Sequence, residues 1–454
     1  MSGDTTIPSS TSEILGEGLL GTSLGCSCGR EHKVQTRKVV IDTGAAARVA
    51  DELPGLIPGQ SILLIADLRT WEAAGARLAD ALGPSYWVEC CLIREPVAAH
   101  IHASVELADE LNSTFPDDFE IIAAVGSGTV NDLAKEIAHR RRRPYFVFST
   151  AASMNGYTSA IVALLENGLK ITRLASPPAA VFADPEILVA APHEMALAGL
   201  GDLVSKPFCG CDWKIASLVR DEYHCRMPDR LLSGPFEQGL EVFPLLAEND
   251  PDAVTELFRL LLISGISMAI TGTSSPASGG EHLLSHYWDM ERLRFGKPLN
   301  LHGAQVGVAS LVIDTLYRRI VEFDFGRACF VPNPTREKAC LEVEKTFGSI
   351  AAAVWPQRQA KLEARTERDL GRLCEHEGTI KAEIERTLAV GAKVRHALSA
   401  AGAPIRASEL GIGSAELGAA IRYGRLIRNR YTVLDVAAEL GLLDDFADEF
   451  PENG

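Results

Sequence analysis

Through the first 185 positions, apolar residues fall in short β-branched or aromatic runs, each followed by an amphipathic stretch. Val39–Ile41 leads to AAARVADEL, Ile62–Ala66 to TWEAAGARLADAL, Tyr86–Ile93 to HASVELADELN and Ile121–Val125 to NDLAKEIAHR, while Tyr145–Ser149 ends in a turn of small residues. Short strands alternating with helices of 10–15 residues predict a parallel sheet with crossover helices. A last strand is expected at Ala180–Ala183, before Asp184-Pro185. From about residue 186 the strand signal fades and long helical stretches follow, such as AVTELFRLLLISGISMAITG and EKACLEVEKTFGSIAAAVW. The segment Gln357–Leu398, rich in Glu, Arg, Lys, Leu and Ala, reads as amphipathic surface helices. The pattern predicts a loosely ordered segment over 1–30, an α/β domain over 31–185 and an all-helical domain over 186–454, with a crevice between the domains as the expected place for a site.

A chain of 454 residues with 46% hydrophobic and 23% charged residues has the composition of a globular protein with ample core. Its net charge of −16 argues against nucleic-acid binding, which needs basic clusters. The one basic run, Arg140–Arg143, falls in the last turn of a predicted helix, where it complements the helix dipole. No segment is read as reaching the ~20 apolar residues needed to cross a bilayer. The N-terminus lacks a basic region followed by an apolar one, so a cytoplasmic location is expected. The ten cysteines are irregularly spaced and are expected to remain thiols. Cys26-Ser-Cys28 with His32 looks like part of a metal knuckle. A fourth ligand is missing nearby and the C-x-C spacing is tight, so the segment is read as an ordinary turn. Cys90, Cys91, Cys209 and Cys211 are expected to pack.

The stretch AAVGSGTVNDLAKEIA places Gly126, Ser127, Gly128 and Thr129 between a predicted strand and a predicted helix. Glycines there let the backbone approach a diphosphate, and the helix start offers unpaired N–H groups to the anion. The loop is neither a Walker A motif nor a GxGxxG fingerprint. Asn131-Asp132 and the polar turn Ser149–Ser153 strengthen the nucleotide reading, and Asp67, ending ILLIAD, is placed to accept hydrogen bonds from an adenosine ribose.

Asp202 follows Gly199-Leu200-Gly201 at a predicted helix start, and His282 and His286 stand four apart on one helical face. His302 opens a further apolar helix. Asp202, His282 and His302 make a set of one carboxylate and two imidazoles, which leaves a coordination position for a substrate oxygen; a structural zinc would be closed by four protein ligands. Zn2+ is the expected ion, and Fe2+ or Ni2+ also suits these ligands.

Taken together, GSGTVNDLAK, STAASMNGYTS, GLGDLVSKPFCGCDWKIA, SGGEHLLSH, LHGAQVGV and IRNRYTVLDVAAELGLLD resemble the sn-glycerol-1-phosphate dehydrogenase family. That family lies within the iron-containing alcohol dehydrogenase and dehydroquinate-synthase-like superfamily, and the likeness runs from about Cys26 to Leu443. It implies a dinucleotide-binding α/β domain followed by an all-α metal- and substrate-binding domain. It further implies that Asp202, His282 and His302 hold the metal, that Gly126 to Asn131 meet the pyrophosphate of NAD or NADP, and that Thr150, Ser153 and Ser159 touch the nicotinamide half. His286 matches the family's substrate-side histidine. One position departs: Asn155 stands where the family carries an aspartate, and an amide bonds a substrate hydroxyl but accepts no proton as a base.

The implied reaction interconverts sn-glycerol 1-phosphate and dihydroxyacetone phosphate by hydride transfer. Lys206, one turn beyond Asp202, is a candidate for neutralising the substrate phosphate, and His286 for relaying a proton near neutral pH. The alternatives are a dehydrogenase of an unphosphorylated polyol such as glycerol, a dehydroquinate-synthase-like lyase, and a non-catalytic nucleotide-binding relative. A phosphorylated polyol or ketose is the expected partner, with no nucleic acid and no membrane, in a homo-oligomer.

Overall fold

Six apolar runs lie side by side in one parallel sheet in the computed structural model, which describes residues 7–16, 18–94 and 101–453. They are β3 (Lys38–Ile41), β4 (Ser61–Asp67), β5 (Trp87–Ile93), β6 (Ile121–Gly126), β7 (Tyr145–Ser149) and β10 (Ala180–Ala183), in the order β3-β10-β7-β6-β4-β5. All five pairings are parallel. Each strand matches its sequence-based expectation to within a residue, because a strand covered on both faces is written as a continuous apolar run. Every residue of β6 and β7 is buried.

Four strands escape the pattern: β1 (Ser23–Leu24), β2 (His32–Lys33), β8 (Ile161–Glu166) and β9 (Leu169–Leu174). The first two are too short for any period. The other two flank Asn167-Gly168, both at positive φ, a pair whose sequence is itself a hairpin turn signal.

The described chain forms two compact units. The first takes residues up to Glu166 with Ile171–Leu203 and Cys225–Ser274; the second takes Asn167–Lys170, Val204–His224 and Ser275 onward. In the first, the helix α1 (Gly128–Arg141) packs on β6, and α2 (His193–Leu203) packs on α4 (Pro251–Thr271). The helix α4 corrects the expectation that no segment is apolar enough to cross a bilayer. Its 21 residues pass that test by length and composition, but most of the apolar window is buried in the fold. A core helix covered all round is apolar all round, so composition alone does not separate the two cases. Residues 1–6 and 17 of the segment expected to be loosely ordered lie outside the described residues. The rest is packed: a helical turn at Thr11–Ile14 leads into buried Leu15, Leu19, Leu20 and Leu24, and Thr11 Oγ1 donates to Glu256 Oε2 on α4 at 2.9 Å.

In the second unit, α3 (Lys206–Arg220), α5 (Gly280–Arg294) and α6 (His302–Glu322) meet around buried Asp212. Its carboxylate accepts from Tyr317 Oη at 2.6 Å, Gly280 N at 2.8 Å and Val433 N at 3.0 Å, tying the start of α5 to α3. The approach is close enough to require glycine, since a Cβ on Gly279 would lie 2.8 Å from Asp212 Oδ2 and 3.0 Å from the Cys209 backbone. Burial, and then the neighbouring Glu281, push the Asp212 carboxyl up to about 7.

Candidate active site

The glycine turn forms where it was expected. β6 ends at Gly126, where a Cβ would fall 2.7 Å from the Val130 side chain, so the strand-to-helix corner closes only without one. Ser127 is the N-cap of α1 yet makes no side-chain capping bond, which leaves the first-turn N–H groups of a 14-residue helix without that partner. Its hydroxyl instead meets Ser153 Oγ and accepts from Tyr157 Oη at 3.3 Å. Asn131 is fully buried and its Oδ1 has no partner among the described residues. A helix start of this kind with a buried polar atom unmatched suits a diphosphate.

Other expected cofactor residues have structural tasks. Asp67 is the N-cap of a short helix, accepting from Thr70 N at 2.8 Å. Asp132 accepts from Ala163 N at 3.2 Å, joining α1 to β8. Thr150 N bonds Gly126 O at 3.2 Å, which sets the polar turn against the glycine loop. Ser159 is buried and accepts from Lys135 Nζ at 3.1 Å.

Asp202 is almost wholly buried near the end of α2. Asn155 grips it twice: the backbone N–H reaches Oδ2 at 2.9 Å, and Nδ2 reaches Oδ1 at 3.0 Å. The amide at 155 supplies the second of these bonds, whereas an ionised aspartate side chain has no proton to donate.

On α5 and α6, His282, His286 and His302 come together, with ring centroids 5.2 Å apart for His282–His302 and 5.6 Å for His286–His302. His282 Nδ1 lies 2.7 Å from Glu281 Oε1, which only accepts, so Nδ1 is the donor of this bond. Ser285 donates its one proton to Gln305 Oε1 at 2.8 Å and so accepts from His302 Nδ1 at 3.2 Å. Two imidazoles held through Nδ1 with Nε2 presented is the arrangement that metal ligation uses. Burial opposes ionisation of Glu281, but His282 and the Gly279 N–H hold its carboxyl below the usual range.

Burial first, then Lys170, His302, Arg428 and His282, hold the pKa of His286 well below 6.5, so at neutral pH it is an uncharged imidazole. Lys206 is buried, and its ammonium donates to Ser205 Oγ at 3.0 Å and Ala277 O at 3.2 Å.

The family profile described as "Iron-containing alcohol dehydrogenase" matches residues 40–192. The glycerol-1-phosphate dehydrogenase [NAD(P)+] of Geobacillus stearothermophilus is 31% identical over 418 residues, which is 91% of this chain and 96% of the relative. This chain belongs to the glycerol-1-phosphate dehydrogenase family. The enzyme of the same name from Halalkalibacterium halodurans is 32% identical over 297 residues, 64% of this chain and 74% of that relative. In fold the chain is also similar to the crystal structure of glycerol dehydrogenase from Schizosaccharomyces pombe, with a TM-score of 0.57 at 17% identity, covering 92% and 91% of the two chains.

Within this member of the family, the residues that orient the metal-type ligands were not singled out from the sequence. Glu281 adjoins a histidine that was picked, and Ser285 and Gln305 lie one turn from His282 and His302; that adjacency was the available signal. Lys135 has no such local sequence signal. It is wholly buried, and its ammonium donates to Gly156 O at 2.6 Å, Ser159 Oγ at 3.1 Å and Ile161 O at 3.2 Å. Burial lowers its pKa to about 8.

Proposed function

We propose that this chain is an NAD(P)-linked dehydrogenase interconverting sn-glycerol 1-phosphate and dihydroxyacetone phosphate, with one divalent metal held by Asp202, His282 and His302. Each of the three offers one ligand atom. The observation that carries the reading is the pair His282 and His302, each fixed through Nδ1 by Glu281 or Ser285 with Nε2 presented. Zn2+ fits a carboxylate and two imidazoles, and Ni2+ and Fe2+ share that preference. When bound, such an ion supplies Lewis acidity toward a substrate oxygen, and the nicotinamide supplies the redox chemistry.

The chain's own residues do the rest. Asn155 fixes the rotamer of Asp202 with two hydrogen bonds, so that carboxylate needs no reorganisation. The uncapped start of α1 takes the cofactor diphosphate, flanked by Gly126, Ser127, Gly128, Thr129 and Asn131. His286 is neutral, and its buried Nδ1, which has no partner among the described residues, is left to hydrogen-bond a substrate oxygen.

The test is a steady-state panel of dihydroxyacetone phosphate against dihydroxyacetone with NADH and NADPH, and of both glycerol phosphate enantiomers against glycerol with the oxidised cofactors. The expected result is net cofactor turnover only with the phosphorylated pair and an sn-glycerol 1-phosphate product. Equal or better kcat/KM for glycerol would overturn the substrate reading, and turnover without net change in NAD(P)H would indicate the lyase.

A further inference from the structure

We propose that Cys26, Cys28, His32 and Cys225 hold a second metal ion, a structural zinc, within the first unit. Cys225, the ligand missing from the local pattern, is supplied by the tertiary fold: it lies 199 positions from Cys26, with the two sulfurs 3.5 Å apart. The sequence therefore shows a C-x-C and a nearby histidine that read as an ordinary turn.

Four observations support the assignment. Cys28 Sγ lies 3.3 Å and Cys225 Sγ 3.2 Å from His32 Nε2, and the four ligand atoms all fall within 4.8 Å of one another. A tetrahedral ion with bonds of roughly 2.0–2.3 Å has ligand-to-ligand edges of roughly 3.5–3.8 Å, so the cluster is near the size an ion would impose. The histidine has the required tautomer: Nδ1 sits 2.8 Å from the carbonyl of Ile270, which only accepts, so the proton is on Nδ1 and the lone pair of Nε2 faces the sulfurs. Two sulfurs accept backbone N–H groups, Cys26 from Cys28 N at 3.5 Å and Cys225 from Met227 N at 3.3 Å, as thiolates do. The turn that presents the pair closes at Gly29, whose φ of +82° suits glycine, with its N–H bonded to Cys26 O at 3.2 Å.

A disulfide would need only two of these sulfurs, and it would leave the third and the bare imidazole nitrogen unexplained. Three thiolates and an imidazole select zinc among the common divalent ions and complete its tetrahedron, leaving no position for substrate. The ion would staple the β1–β2 hairpin to the entry of helix Met227–Val242 and, through His32, to the end of α4.

The test counts metal in the full-length protein. Zinc is measured by mass spectrometry in the wild type and in the variants His282→Ala and Cys225→Ser, all purified under reducing conditions. His282→Ala is expected to retain one zinc ion per chain, and Cys225→Ser to lose that ion and unfold at lower temperature. Should Cys225→Ser fail to fold, His282→Ala protein grown on cobalt answers the same question, since thiolate ligation gives sulfur-to-cobalt charge-transfer absorption. A His282→Ala protein free of zinc, cobalt-grown protein without that absorption, or a native mass showing a Cys26–Cys225 disulfide would each overturn the proposal.

Discussion

At the scale of single residues, the site depends on side chains one step behind the proposed ligands. Glu281→Gln keeps the shape but removes the charge that holds Nδ1–H of His282. Metal affinity measured by competition with a chromophoric chelator is expected to fall roughly 10–100-fold, the usual cost of losing such a partner. Asn155→Ala removes one of the two bonds to Asp202 and is expected to lower metal affinity in the same direction. Lys135 supports a prediction with a definite sign. Its folded pKa of about 8 lies below the ordinary 10.5, so between those values the unfolded chain binds more protons and stability rises with pH. Denaturation of the wild type and of Lys135→Met at pH 7.5 and pH 10 should show a wild-type gain, relative to the variant, of about 3 kcal/mol at most. An equal response in the two proteins would mean that Lys135 is charged at no such cost.

At the scale of elements, two glycines let helices of the first unit grip the segment that carries Asn155. A Cβ on Gly199 of α2 would stand 1.9 Å from Ala152 O, and one on Gly265 of α4 would stand 2.2 Å from Thr158 Oγ1 and 2.6 Å from Asn155 O. Those contacts are with backbone or a bonded hydroxyl, so they cannot be relieved by a rotamer change. Gly199→Ala and Gly265→Ala are each expected to cost about 1–3 kcal/mol, visible as a lower thermal midpoint. Gly265→Ala should also reduce kcat more than KM is raised, because it displaces the residue that orients Asp202. The sequence registered Gly199 only as part of a turn before Asp202. What it needed to show was a helix–backbone contact, and that depends on which elements become neighbours.

At the scale of the whole molecule, prolonged dialysis against a strong chelator is expected to abolish dehydrogenase activity, with recovery on adding Zn2+, Ni2+ or Fe2+ in an order that identifies the preferred ion. Undiminished turnover in protein shown to be metal-free would remove the metal from the mechanism. The parallel sheet and the glycine corner at Gly126 were legible from the chain alone, and the chain alone also offers His282 and His302 as candidate ligands. Each rests on a local rule: an apolar run for a covered strand, a glycine where a strand turns into a helix, a histidine at a helix start. The roles of Glu281, Ser285, Gln305 and Lys135 were not, because hydrogen-bond partnership has no period. Nor was the low pKa of His286, which comes from burial and from Lys170 and Arg428, residues more than 100 positions away in the chain.

Local pattern thus determined the elements and the chemical types offered at the site, since helix and strand periods and ligand chemistry are properties of short segments. Tertiary structure alone decided which donors orient those ligands, which titratable groups stay neutral, and that a cysteine at position 225 meets a turn at position 26. Those outcomes depend on burial and on distances between segments far apart in the chain, and neither exists until the core has formed.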